Sequence, residues 1–320
     1  MRKRLTLKNI AAAFMVTVMI FLSFSAFTYG ASAVTPTYYV SNAYMKTQFY
    51  KNLTAYDLTG DERYDVVSIA FTQYGYHEGD DENDMSGTNR DGYKNFAEYN
   101  RMYGKLDNGE GNGLSYGYSW CAAFVSWCLR QARVPKTTVE TFVSCSRAVN
   151  NFRTLGIFRE RSSGYQPIAG DIIFFINPEY IAGGYVSSHV GLVVGCDGEY
   201  VYTIEGNTSS VAGVVSNGGC VKRKQYKLSS TYIYGYGRPA YKIEEKKETY
   251  SGKLPSLPLR GYFKFNPKTP NKIYDVGANV KLLQKFLNWA LDTNLVVDGY
   301  YGINTGKAVC KFEKVCGINC

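Results

Sequence analysis

Apolar positions along this chain change character part-way, from helical spacing in the first half to short unbroken runs in the second. Val66, Ile69, Ala70 and Tyr74 follow Thr59-Gly60-Asp61-Glu62, a threonine three residues ahead of a glutamate in the form of a capping box. They predict a helix ending at Gly75. Phe124, Val125, Cys128 and Leu129 predict a second helix, which the turn-rich run Asn112 to Tyr118 cannot join. A third is predicted from Thr138 to Phe152. The strand idiom then takes over in Ile172 to Ile176, Val190 to Val194 and Val201 to Ile204, with a further strand near Ile233 to Tyr241. The Asp197-Gly198 turn between the second and third runs fits an antiparallel hairpin. Helices first and an antiparallel sheet afterwards predict an α+β domain.

The ends of the chain read differently. Residues 1–33 have the form of a secretory signal: Arg2, Lys3, Arg4 and Lys8, an apolar run from Ile10 to Phe27, and Ala31-Ser32-Ala33 as a small-x-small cleavage site. The length of that run also fits an uncleaved anchor. Residues 34–57 form a polar, tyrosine-rich segment, and 58–242 hold the α+β pattern. Residues 243–259, with Glu244 to Glu248 and two prolines, read as a linker. In 260–320, Val280, Leu283, Phe286 and Leu287, then Ala308, Val309 and Phe312, predict a small all-α domain.

Charge and cysteine content narrow the setting. Without the four basic residues of the signal, 32 basic residues face 27 acidic ones, a net charge of +5. That suits an acidic surface such as a bacterial wall, and no basic helix with base-reading side chains points to nucleic acid. The expected membrane contact is the signal peptide before cleavage. An exported chain with eight cysteines invites disulfides. Cys121 and Cys128, however, are about 10 Å apart along a helix, beyond the roughly 7 Å Cα limit for a bridge. Cys310 and Cys316 fail the same test, Cys196–Cys220 and Cys316–Cys320 stay open, and most of the thiols are expected to be free.

Candidate chemistry centres on Ser119-Trp120-Cys121-Ala122-Ala123-Phe124. Cys121 falls in the first helical turn, where unpaired amides and the helix dipole favour a thiolate. A thiol hydrolase also needs a base, and the chain has two histidines, His77 and His189. His77 sits in the acidic loop Gly75 to Asp84. His189 heads an apolar strand, at a sheet rim suited to meeting a helix start. Glu205 and Asn207, two apart on the next strand, are expected on one face. Glu205 would orient the imidazole, while Asn207 would orient it or bind substrate. The Cys121 amide would serve an oxyanion, with Tyr116 or Ser119 as a possible second donor. The acidic loop lacks the ligand order of a helix-loop-helix calcium site, which leaves calcium on Asp80, Asp81 and Asp84 a hypothesis. No cofactor or metal is called for.

Five motifs in order carry a resemblance: Gly75-Tyr76-His77-Glu78-Gly79, Trp120-Cys121-Ala122-Ala123-Phe124-Val125-Ser126-Trp127, Ala169-Gly170-Asp171-Ile172-Ile173-Phe174-Phe175, Ser188-His189-Val190-Gly191-Leu192-Val193 and Ile204-Glu205-Gly206-Asn207-Thr208. Together, from about Leu58 to Tyr241, they resemble the CHAP family, the cysteine- and histidine-dependent amidohydrolase/peptidase domains of cell-wall hydrolases. The resemblance implies a papain-like fold, with Cys121 as nucleophile, His189 as its histidine, and Glu205 and Asn207 at the polar positions. The C-terminal segment is similar to a three-helix peptidoglycan-binding domain through Gly277, Val280, Leu283-Gln284, Leu287-Asn288, Asp298-Gly299, Gly302, Thr305, Ala308-Val309, Phe312 and Gly317. The expectation is a secreted, wall-associated hydrolase of bacterial peptidoglycan, an N-acetylmuramoyl-L-alanine amidase or an endopeptidase. The alternatives are a wall-binding protein with a non-catalytic domain and a Cys-His-His endopeptidase using His77.

Overall fold

The computed structural model describes residues 33–56, 58, 60–107, 113–177, 186–196, 198–243, 278–291, 293–297, 301 and 303–315. Residues 1–32 of the expected signal, 244–259 of the expected linker and Thr59 lie outside the described residues. Four short helices open the fold: α1 (Asn42–Met45), α2 (Gln48–Thr54), α3 (Glu62–Thr72) and α4 (Glu98–Arg101). A two-stranded ribbon, β1 (Leu106–Asp107) with β2 (Leu114–Ser115), leads to α5 (Cys121–Gln131) and α6 (Cys145–Thr154). One six-stranded antiparallel sheet follows, in spatial order β3-β8-β4-β5-β6-β7. Its strands are β3 (Phe158–Glu160), β4 (Ile172–Phe175), β5 (His189–Cys196), β6 (Tyr200–Thr208), β7 (Cys220–Lys227) and β8 (Ile233–Gly237). Helices on an antiparallel sheet make the domain α+β, as the pattern predicts.

The unbroken apolar run of β4 follows from burial on both faces. Ile172 and Phe174 join Val190, Leu192 and Ile204 in the core beneath α3 and α5. Ile173 and Phe175 join Val193, Val201 and Tyr226 in a smaller cluster on the opposite face. Successive strand residues alternate sides, so a strand covered twice has no polar position to give. Helix α5 packs on β5 and β6. Gly206 makes that approach possible, since a Cβ there would lie 2.6 Å from Phe124 Cβ.

Several boundaries differ from the sequence expectation. The cap of α3 is Asp61, whose carboxylate accepts from the Arg63 and Tyr64 amides at 3.0 and 3.3 Å. Glu62 instead accepts from the Lys242 amide at 2.8 Å. The helix foreseen from Thr138 starts at Cys145, capped by Ser144. Val139 and Phe142 are buried, which gave the segment its helical pattern. Phe142, however, spends both backbone groups on Ser126 Oγ, at 2.8 and 3.0 Å, rather than on a helical ladder.

Residues 34–56 form α1 and α2, and Val34, Tyr44 and Leu53 enter the main core. Glu98 fastens this segment. Its buried carboxylate accepts from Ser41 N at 3.0 Å, Ser41 Oγ at 2.7 Å and Tyr38 Oη at 3.1 Å. Burial nevertheless raises the Glu98 pKa to about 7. Beyond residue 243, α7 (Ala278–Leu291) packs on α8 (Ile303–Val315), with Gln284 Nε2 donating to Thr305 Oγ1 at 3.1 Å. Residues 260–277, 292, 298–300, 302 and 316–320 of that expected domain, Asp298-Gly299 and Gly302 among them, fall outside the described residues. Among the described residues, no helix is long and apolar enough to cross a membrane.

Candidate active site

Helix α5 begins at Cys121, and its N-cap is Trp120, a side chain with no acceptor for the first-turn amides. Those amides are left to serve whatever lies in front of the helix. The Ala122 N–H acts on the Cys121 sulfur. Trp120 is itself fixed: its indole Nε1–H donates to Glu78 Oε2 at 2.7 Å, and Glu78 Oε1 accepts from the Asn95 amide at 3.1 Å. Both Trp120 and Glu78 are buried. The His77-Glu78 stretch thus supplies a carboxylate that holds the residue preceding Cys121.

His189 is the first residue of β5, fully buried, and its ring stacks on Phe175 with centroids 5.8 Å apart. Its Nε2–H donates to Glu205 Oε2 at 2.9 Å. Among the described residues, Nδ1 has no hydrogen-bond partner of this kind, and it is the nitrogen left for Cys121. The Glu205 carboxylate is held in turn by Thr203 Oγ1 and by Tyr226 Oη at 3.2 Å. Room for it comes from Gly191, where a Cβ would lie 2.5 Å from Glu205 Cγ.

The electrostatics follow from this layout. A hydrogen bond from Cys145 lowers the Cys121 pKa well below the usual thiol range, against burial and with help from His189 and the Ala122 amide. Burial works against the imidazolium of His189, but Cys121 and Glu205 outweigh it and bring its pKa up to about 9. The pair is therefore poised as thiolate and imidazolium at neutral pH. Burial pushes Cys128, two turns along α5, the other way.

Asn207 goes elsewhere. Its Nδ2 donates to Asn95 Oδ1, Ser119 Oγ and Asn217 Oδ1 at 2.9, 3.2 and 3.2 Å, and its Oδ1 accepts from Gly219 N at 3.2 Å. The expected shared face with Glu205 is lost because β6 shifts register between Glu205 and Thr208, where Asn207 takes φ 54°. Asn207 therefore knits together the loops around the start of α5, Ser119 among them. His77 stands apart, its Nδ1 donating to the Glu78 carbonyl at 3.1 Å and its backbone bridging to Cys220.

The acidic loop is occupied with itself. Asp80 Oδ1 accepts from Tyr93 N, Asp81 Oδ1 from Asn83 N, and Asp84 Oδ2 from Asn89 Nδ2 at 2.6 Å. Among the described residues, no group of three His, Cys, Asp or Glu side chains is placed to hold a metal ion. Among the described residues, Cys121, Cys128, Cys145 and Cys220 are free thiols, so the Cys196–Cys220 bridge left open by sequence is not formed.

Sequence reasoning did not single out Cys145, whose Sγ lies 3.8 Å from that of Cys121. The available signal was Ser144, a capping residue that puts Cys145 in the same first helical position as Cys121. A cavity of about 650 Å³ lies elsewhere, lined by Arg63, Ile168, Val194, Gln284 and Lys307 among others. It contains none of Cys121, His189, Glu205 or Asn207.

Residues 113–207 match the family model of the CHAP domain. No curated protein matches the chain, and no solved structure does. The CHAP match opens just ahead of Trp120 and closes on Asn207, so it encloses the thiol, the imidazole and the carboxylate. It leaves out Glu78, β7 with Tyr226, and everything beyond. CHAP domains are typically cysteine- and histidine-dependent amidohydrolases or peptidases.

Proposed function

We propose that this chain is a peptidoglycan hydrolase that cleaves an amide bond of the wall peptide through Cys121, His189 and Glu205. The observation that carries the reading is His189, buried with Nε2 on Glu205 and Nδ1 left to Cys121 at the uncapped start of α5. The CHAP match supports the substrate class.

The Cys121 thiolate attacks the amide carbonyl, and the oxyanion that forms faces the Cys121 amide at the helix start. As the tetrahedral adduct collapses, His189 gives its proton to the departing amine, leaving a thioester on Cys121. His189 then takes a proton from water, the hydroxide attacks the thioester, and the carboxylic acid leaves with the thiolate restored. Glu205 keeps the ring in the tautomer and orientation both steps need. Asn207 holds Ser119 and the neighbouring loops in place around the nucleophile.

The same reading makes the protein secreted and wall-associated, on the strength of the N-terminal signal pattern. The C-terminal segment would act as a tether that raises the local concentration of substrate. Digestion of purified peptidoglycan, with the fragments identified by mass spectrometry, tests the proposal. Newly freed N-terminal alanine identifies the amidase, and cut stems or bridges identify the endopeptidase. Intact walls after exposure to the reduced protein would leave a wall-binding protein with a non-catalytic domain.

A further inference from the structure

Two thiols meet at the candidate active site, although hydrolysis of an amide needs one. Cys121 and Cys145 each occupy the first position of a helix, α5 and α6, and the two helix starts converge so that the sulfurs are 3.8 Å apart. That is van der Waals contact, and a disulfide at about 2.05 Å needs the two sulfurs to close the remaining gap. Both residues are nearly buried, at 3% and 8% exposure. That burial favours a small oxidant over the thiol of another folded protein.

We propose that Cys121 and Cys145 form a reversible dithiol–disulfide site that takes a hydroperoxide as oxidant, switching the hydrolase off and shielding its nucleophile. The inference rests on Cys121 being that nucleophile. The Cys121 thiolate attacks the peroxide, the O–O bond breaks, the alkoxide or hydroxide leaves with a proton, and a sulfenic acid remains on Cys121. The Cys145 sulfur then attacks the Cys121 sulfur. The S–O bond breaks, the leaving oxygen departs as water with the Cys145 proton, and the S–S bond forms. Two thiols and one hydroperoxide give one disulfide, one alcohol or water, and one water, a two-electron exchange. A small dithiol reverses it.

The layout divides the roles. The Cys145 S–H donates to the Cys121 sulfur, which leaves Cys121 as the attacking partner and Cys145 as the resolving one. Without Cys145, a sulfenic acid on Cys121 would meet a second peroxide and pass to the irreversible sulfinic acid. Cys128, the other cysteine of α5, is packed inside the core.

The test compares the reduced wild-type protein with Cys145→Ser, each treated with one equivalent of hydrogen peroxide and read in two ways. Intact mass and non-reducing peptide mapping should show wild type losing two hydrogen atoms and linking the Cys121 and Cys145 peptides. Cys145→Ser should gain one or two oxygens instead. Wall lysis, each protein normalised to its own reduced rate, should return with dithiothreitol at least about tenfold more completely in wild type. Oxygen gain in wild type at the rate of the variant, with no linked peptide, overturns the inference whether or not the protein lyses walls. A linked peptide in a protein inert on walls in every state would keep the dithiol site and overturn the hydrolase reading. Because wild type alone supplies the mass readout, a variant that failed to fold would not hide the answer.

Discussion

Cys121 and Cys128 sit two turns apart on one helix, both enclosed by the main core, and their thiols behave in opposite ways. Burial alone pushes Cys128 upward, away from the thiolate. Cys121 suffers the same burial, yet a hydrogen bond from Cys145, the His189 ring and the Ala122 amide together pull it down. The lesson is that desolvation sets the penalty for a charge, and position in the helix decides whether anything answers it. At the first residue the amides have no helical acceptor, whereas seven residues on they are all spent on the backbone ladder. The same end of the helix is also the one that reaches the sheet rim where His189 begins its strand.

The sharpest way to break this comparison is to truncate each thiol. Cys121→Ala should lower wall hydrolysis by at least about 10³-fold while sedimentation with walls is retained. Cys128→Ala should keep hydrolysis within about twofold and cost roughly 1 kcal/mol of stability, read as a lower Tm. Equal losses of activity in the two variants would remove the distinction.

The next largest effect should come from Glu205→Gln, a loss of about 10²–10⁴-fold, as expected when an orienting carboxylate becomes an amide. The pH profile carries the sign. His189 is held up to about 9, so the thiolate–imidazolium pair persists across neutral pH and activity falls as pH rises through about 9. Removing the Glu205 charge lowers the His189 pKa and moves that alkaline limb to lower pH. The stability side has the same sign. A histidine with a folded pKa raised above about 6.5 contributes stability that is fully present below 6.5 and lost as pH rises through 9. The Tm gap between wild type and Glu205→Gln should therefore narrow above pH 9. A limb that did not move would detach Glu205 from His189.

Smaller still is the expected effect of Gly191→Ala. A methyl group 2.5 Å from Glu205 Cγ must displace the carboxylate or the strand. Overpacking of this kind costs about 1–3 kcal/mol. Hydrolysis should fall about tenfold with the alkaline limb shifted in the direction of Glu205→Gln. A drop in Tm with an unmoved limb would make Gly191 a packing residue alone.

Much of this architecture was legible because its causes are local. Apolar residues at helical spacing placed the start of α5 at Cys121, and unbroken or alternating runs placed β4, β5 and the centre of β6. Strand β7 escaped notice for a physical reason. It is an edge strand whose Lys222, Arg223, Lys224 and Lys227 keep the open edge charged, so only Val221 and Tyr226 are buried. The false start at Thr138 arose because burial, which the pattern reports, and helical hydrogen bonding, which it does not, part company at Phe142.

By itself the sequence determined which side chains could do chemistry here: a cysteine at a helix start, a histidine at a strand head, and an acid on the next apolar strand. Tertiary structure decided which of them meet. The register shift at Asn207 turned that side chain toward Ser119 and left Glu205 with the imidazole. Gly191 and Gly206 proved to be points where another element presses close, rather than turns. Cys145, 24 residues from Cys121, became its neighbour only through the convergence of two helix ends. Local propensity is written in neighbouring residues, whereas contact between distant segments depends on how the whole sheet and its helices close.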